Sequence, residues 1–166
     1  GGDVGGRVIM LKGAQGDDGQ GSRDAKADLI CAVPHWDWEF RHRPGVPTRA
    51  LARELATQGV RLIAGHHAHV SQPVARIGET VCAYGLGDFL VTAWSRQPWT
   101  QRIGGILVAD IASEGLRRGH FTGFALVPFF RIRSEGRERL LPIHRLDPAL
   151  RRKVETRLAA VLDTRR

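Results

Sequence analysis

The chain has 166 residues, 42% of them hydrophobic and 25% charged, which is ordinary for a globular domain with its own core. No apolar run approaches the ~20 residues that a membrane-spanning helix requires. The net charge is +8, from 25 Lys+Arg against 17 Asp+Glu, and lysine contributes only Lys12, Lys26 and Lys153. Such a balance favours anionic partners such as phosphate esters or acidic polymers. The arginines of Arg131–Arg139 and Arg145–Arg166 read as a solvated basic face and tail. The opening Gly-Gly-Asp-Val-Gly-Gly has no methionine, basic start or apolar segment and reads as the start of a fragment.

In chain order, Arg7–Lys12 is a candidate strand and Gly13–Arg23 a Gly/Asp/Gln-rich loop. Asp28–Pro34 is a short continuous apolar run, as expected of a strand covered on both faces. His35–Val46, with Trp36, Trp38, Phe40, Pro44 and Gly45, reads as a structured loop. Pro47–Gln58 is a helix: Leu51 and Leu55 lie four apart with Ala50, Ala52 and Ala56 completing a packing stripe, Pro47 suits its start and Gly59 its end. Val60–Ala64 is a second short strand, and Gly65–Gln72 a polar loop leaving it. Asp28–Ala64 is therefore a βαβ unit with parallel strands.

Glu79–Tyr84 is a further strand, followed by the turn Gly85–Asp88. Beyond it Gly105–Ile111, Phe121–Phe130 and Arg139–Ile143 are candidate strands. Pro148–Leu162 closes the chain as a helix, capped by Asp147. The expected organisation is one partial domain over residues 1–166: a motif-bearing βαβ region at about 24–92, a β-rich remainder at 103–143 and a final helix at about 148–163. Cys31 and Cys82 lie in apolar strands without C-x-x-C spacing, so buried free thiols are expected rather than a thiolate metal site.

Four of the seven histidines fall in two loops. His35 follows the first strand of the βαβ unit; His66, His67 and His69 follow the second. Parallel strands end on one edge of their sheet, where ligand sites of open α/β sheets form. The topology therefore carries His35 towards His67 and His69. Neutral imidazole is a good ligand for divalent transition metals, and an H-x-H pair can serve one ion or two. A glycine at 65 permits a sharp turn where the strand ends. Asp37 and Glu39 share the His35 loop, and Asp88 ends the third strand at the same edge. Trp36 and Trp38 flank the ligand loop; they, with Trp94 and Trp99, are better read as packing than as a substrate cleft.

Three ordered blocks, Ala27–Glu39 (ADLICAVPHWDWE), Ile63–Pro73 (IAGHHAHVSQP) and Ala83–Phe89 (AYGLGDF), resemble those of the bacterial capsule-synthesis CapA family, of the poly-γ-glutamate synthesis type. The resemblance spans about residues 24–130. It implies an α/β calcineurin-like metallophosphatase fold, a β-sandwich flanked by helices, of which this chain carries the second half. It puts metal ligands at His35, His67 and His69 and the family's glutamate at Glu39, and Gln72 also matches. Glu39 and His66 are the candidate catalytic residues. Asp37 stands where the family usually has glycine, Ala68 where it often has proline, and Asp88 where it has asparagine. The family's aspartate-led N-terminal half, with the remaining ligands and a general-acid histidine, has no counterpart here, and Asp3 is not a candidate.

The implied activity is hydrolysis of a phosphoester at two divalent ions (Mn, Fe or Zn) in the intact protein, with an anionic phosphoester or acidic polymer as substrate. The alternative is a non-catalytic accessory or polymer-binding component of envelope polymer assembly, working with other polymer-synthesis proteins. The expected setting is the bacterial cell envelope. Nucleic acid is a weaker expectation, because charge and tryptophans are present without a recognised motif.

Overall fold

A computed structural model describes residues 8–12, 27–91 and 98–162. The expected Gly13–Arg23 loop, Asp3 and Trp94 lie outside the described residues. The fold is α/β, with two helices and two sheets among the described residues.

The first sheet has the order β1-β2-β3-β5-β4. Its strands are β1 (Val8–Lys12), β2 (Leu29–Val33), β3 (Leu62–Ala64), β4 (Val74–Ile77) and β5 (Thr80–Ala83). Strands β1, β2, β3 and β5 are mutually parallel, and β4 runs antiparallel to β5. Helix α1 (Val46–Thr57) is the crossover between β2 and β3. It begins one residue before the expected Pro47, which occupies its first turn, and Gly59 follows its end with φ 92°, the left-handed geometry glycine takes after a helix.

Strand alternation assigns the two faces of this sheet. Ala32, Ile63 and Cys82 point to one side, where Leu51, Ala52 and Leu55 of α1 pack. Leu29, Cys31 and Val81 point to the other and meet Phe121, Leu107 and Ala109 of the second sheet. The sheets are therefore stacked through an apolar layer. Burial on both sides is why β2 reads as an unbroken apolar run.

The second sheet is the antiparallel meander β6 (Ile103–Ile111), β7 (Phe121–Ser134) and β8 (Arg137–Pro142). A two-residue turn joins β7 to β8, with Glu135 and Gly136 at φ 53° and 73°, the signature of a type I′ hairpin. Helix α2 (Pro148–Leu162) packs Val154 and Leu158 against Ile103 and Phe130 of this sheet. Asp147 caps it as expected: its Oδ1 accepts from the amides of Ala149 at 3.1 Å and Leu150 at 3.0 Å.

Two features depart from the sequence reading. Strand β4 was not expected; Gly78 at φ 57° opens a two-residue turn that folds Val74–Ile77 back onto β5. Arg131 is not part of a solvated basic face: it is 1% exposed and lies beneath the sheet edge described next.

Candidate metal site

Parallel pairing of β2, β3 and β5 brings the loops that leave them to one edge. The β2–β3 pairing continues one step past the strands: His66 N donates to Pro34 O at 3.0 Å and Trp36 N to His66 O at 3.2 Å. This bridge sets His35 beside His66, with their Nδ1 atoms 3.1 Å apart. One of those nitrogens must donate and the other accept.

Beneath this bridge Trp36 is buried and crosses to β5, its indole donating to Tyr84 O at 2.8 Å. The role of Gly65 follows. A Cβ there would lie 2.3 Å from both the Trp36 indole nitrogen and Tyr84 O. The expected sharp turn is not the reason for the glycine, since its φ is not among the positive ones; the reason is close approach.

Two further contacts tie the His35 loop to the H-x-H loop. Phe40 N donates to Ala68 O at 2.7 Å. Gln72, fully buried, donates its Nε2 to Arg41 O at 2.8 Å and to Asp37 Oδ2 at 3.1 Å. Asp37 also accepts from Gly45 N at 3.1 Å and Trp38 N at 2.9 Å. Asp37 is thus occupied in shaping the loop. The packing expected of Trp36 and Trp38 divides between them: Trp36 is buried, while Trp38 is 71% exposed with the Arg41 guanidinium 5.8 Å from its ring.

The tied loops bring Glu39 to His67 and His69. One potential donor atom from each of the three lies within 4.8 Å of the others, and Glu39 Oε1 is 3.9 Å from His69 Nε2. The His35 ring is not in this group but is adjacent, 4.1 Å from the His67 ring centre to centre. His66 is exposed at the rim. A cavity of about 150 Å³ opens here, lined by His35, His66, His67, His69 and Asp88. A larger hollow of about 420 Å³ beside Leu90, Val91, Arg133 and Glu138 gathers no comparable donors.

Backbone strain concentrates at the same place. Asp37, Phe40, His67 and His69 have φ of 68°, 61°, 96° and 57°; of the described non-glycine residues only Glu135 joins them. Left-handed conformations at non-glycine residues cost of order 1–3 kcal/mol each and tend to mark functional sites.

Sequence reasoning placed Asp88 at this edge but not its contacts. Asp88 Oδ1 accepts from His69 Nδ1 at 2.8 Å, and Oδ2 from Gln101 Nε2 at 2.8 Å. The buried Arg131 guanidinium lies 3.9 Å from Oδ2 and donates to Val91 O and Gln101 O. Neither Gln101 nor Arg131 carried a signal, because both come from the second sheet's side and no spacing links them to the histidines.

Residues 20–93 match the family described as bacterial capsule synthesis protein PGA_cap. The chain is 36% identical over 75 residues to the PGA biosynthesis protein CapA of Bacillus subtilis (strain 168), covering 45% of this chain and 19% of that protein. It is 31% identical over 104 residues to the capsule biosynthesis protein CapA of Bacillus anthracis, covering 58% of this chain and 25% of that protein. The matched stretches thus amount to a quarter or less of these curated relatives. The CapA-family resemblance expected from the three blocks is borne out over this part of the chain.

Proposed function

We propose that these loops hold divalent metal and that the full-length protein uses the centre to hydrolyse a phosphoester in the synthesis of capsule or poly-γ-glutamate polymer. The carrying observation is the convergence of Glu39, His67 and His69, whose donor atoms lie within 4.8 Å of one another. Two imidazoles and a carboxylate suit zinc, manganese or iron. Donors sharing one ion at about 2.0–2.1 Å stand roughly 3–4 Å apart. The Glu39–His69 separation of 3.9 Å already meets that, and small side-chain rotations would bring in His67.

His35, beside His67, extends the donor set towards a second ion. When bound, divalent metal supplies Lewis-acid polarisation of a phosphoryl oxygen. The chain's own residues then have distinct tasks. Glu39 ligates or accepts a proton, since its side chain is 54% exposed and faces His69. His66 stands at the rim to hydrogen-bond an oxygen of an anionic phosphoester or acidic polymer. Arg41 and Trp38, exposed on the same loop as Glu39, supply positive charge and an aromatic face to that loop. The names of the two CapA relatives, and the match to the capsule synthesis family, support the polymer context and a setting at the bacterial cell envelope.

The test is elemental analysis of the full-length protein beside a His67→Ala/His69→Ala double variant, with phosphomonoester and phosphodiester turnover measured on the same samples. About two metal ions per chain, lost with turnover in the variant, is the expected result. A folded wild type that takes up no manganese, zinc or iron would overturn the metal reading and leave a non-catalytic, polymer-binding role.

A further inference from the structure

The histidine loop is also held by the segment that follows β5. His69 follows β3, and its Nδ1 is 2.8 Å from Oδ1 of Asp88, which follows the neighbouring β5. Asp88 is in turn gripped by Gln101 at 2.8 Å and by Arg131 at 3.9 Å. Arg131, on β7, is 1% exposed and Gln101 2%, so this grip is buried. Every partner of Asp88 in this chain of contacts is a donor, which aims both of its oxygens in fixed directions.

We propose that Asp88 is the positioning residue for His69, holding it as the Nδ1–H tautomer so that Nε2 carries the free electron pair. A carboxylate oxygen can only accept, so the nitrogen facing it must carry the hydrogen. The remaining nitrogen, Nε2, is the one 3.9 Å from Glu39. Imidazole free in water prefers no single nitrogen strongly enough to guarantee this. A metal-ligating histidine is commonly oriented by a carboxylate on its second nitrogen, and removing such a partner costs 10–100-fold in metal affinity. The anchoring of Asp88 by Gln101 and Arg131 extends the device: the second sheet sets the tautomer of a histidine on the first. The metal consequence rests on the proposed function above; the tautomer does not.

The two are separated by reading the tautomer without metal. In the full-length protein at about pH 8, where an ordinary imidazole is neutral, long-range 1H–15N correlation reports which nitrogen of His69 is protonated. Wild type is expected to show Nδ1–H. Asp88→Ala is expected to shift His69 towards Nε2–H and to weaken cobalt(II) binding, followed by visible absorption, roughly 10–100-fold. Since Asp88→Ala leaves Arg131 buried and uncompensated, Asp88→Leu/Arg131→Met removes the acceptor without orphaning the cation. Nε2–H in wild type, or Nδ1–H persisting in the folded variants, would overturn the proposal. The expected tautomer change in a protein that binds no cobalt would leave it standing and sink the metal reading instead.

Discussion

A single hydrogen at position 65 decides how closely β3 and β5 can be bridged by Trp36. Replacing it with a methyl group puts carbon 2.3 Å from the indole nitrogen and from Tyr84 O, and the second of these is backbone that cannot swing away. Gly65→Ala is therefore expected to destabilise the fold by about 1–3 kcal/mol, the usual cost of overpacking. Urea denaturation would show it as a lower midpoint at unchanged slope. Trp36→Phe should offset part of this loss, because it shortens the side chain that the methyl group strikes. Cys82 makes a second residue-scale case. Burial pushes its thiol up to about 12, so almost no thiolate exists at neutral pH. Cys31 is raised by the same cause. A thiol-specific chromogenic reagent is expected to react with neither in the native protein and with both in denaturant; rapid native labelling would contradict the burial. The sequence showed the glycine and the buried thiols but misjudged the glycine's reason, because local chemistry points to a turn and only the fold brings Trp36 across. Arg131 was misjudged likewise: it sits in an arginine-rich run, and a run reports charge, not depth.

Elements were legible where a periodic pattern coincided with punctuation. Helix α1 had its alanine–leucine stripe between Pro47 and Gly59, and α2 its Leu150, Val154, Leu158 and Val161 behind Asp147. The parallel βαβ unit followed from strand length and connection alone. Strand β4 was missed because four residues with Arg76 among them carry little signal, although Gly78 at the first position of a two-residue turn hinted at a hairpin. The same reasoning makes the cap of α2 a clean test. Asp147 satisfies two amides that otherwise have no partner in the helix, and Arg151 N already bonds its carbonyl. Asp147→Ala is expected to cost about 1 kcal/mol and Asp147→Asn much less, since the amide oxygen still caps. Thermal melts of the two variants side by side would check it; equal losses would mean that charge, rather than capping, was the source.

At the scale of the molecule, the site edge is held from two sides, and His42 is where they meet. It belongs to the His35 loop, its Nδ1 is 3.3 Å from Ser71 O on the H-x-H loop, and its Nε2 is 3.2 Å from Thr100 Oγ1 ahead of β6. Ser71 in turn donates to Ile103 O at 3.1 Å, so the first sheet's loops and the start of the second sheet share one polar seam. Burial lowers the pKa of His42 below its ordinary 6.5, the nearby positive charge of Arg157 lowers it further, and the bond to Ser71 opposes the shift without cancelling it. The folded state therefore resists a proton that the unfolded chain accepts. Above pH 6.5 both states are neutral at this residue and its full contribution to stability is present. As the pH falls below 6.5 the unfolded chain takes up the proton first, and stability declines until the folded pKa is passed. The expected outcome is a denaturation midpoint that falls between pH 6.5 and more acidic values, with a smaller fall in His42→Gln, whose amide can still pair with Ser71 or Thr100. If the two proteins lost stability in parallel over that window, the acid sensitivity would not originate at His42. The seam would then be a passive contact between the sheets.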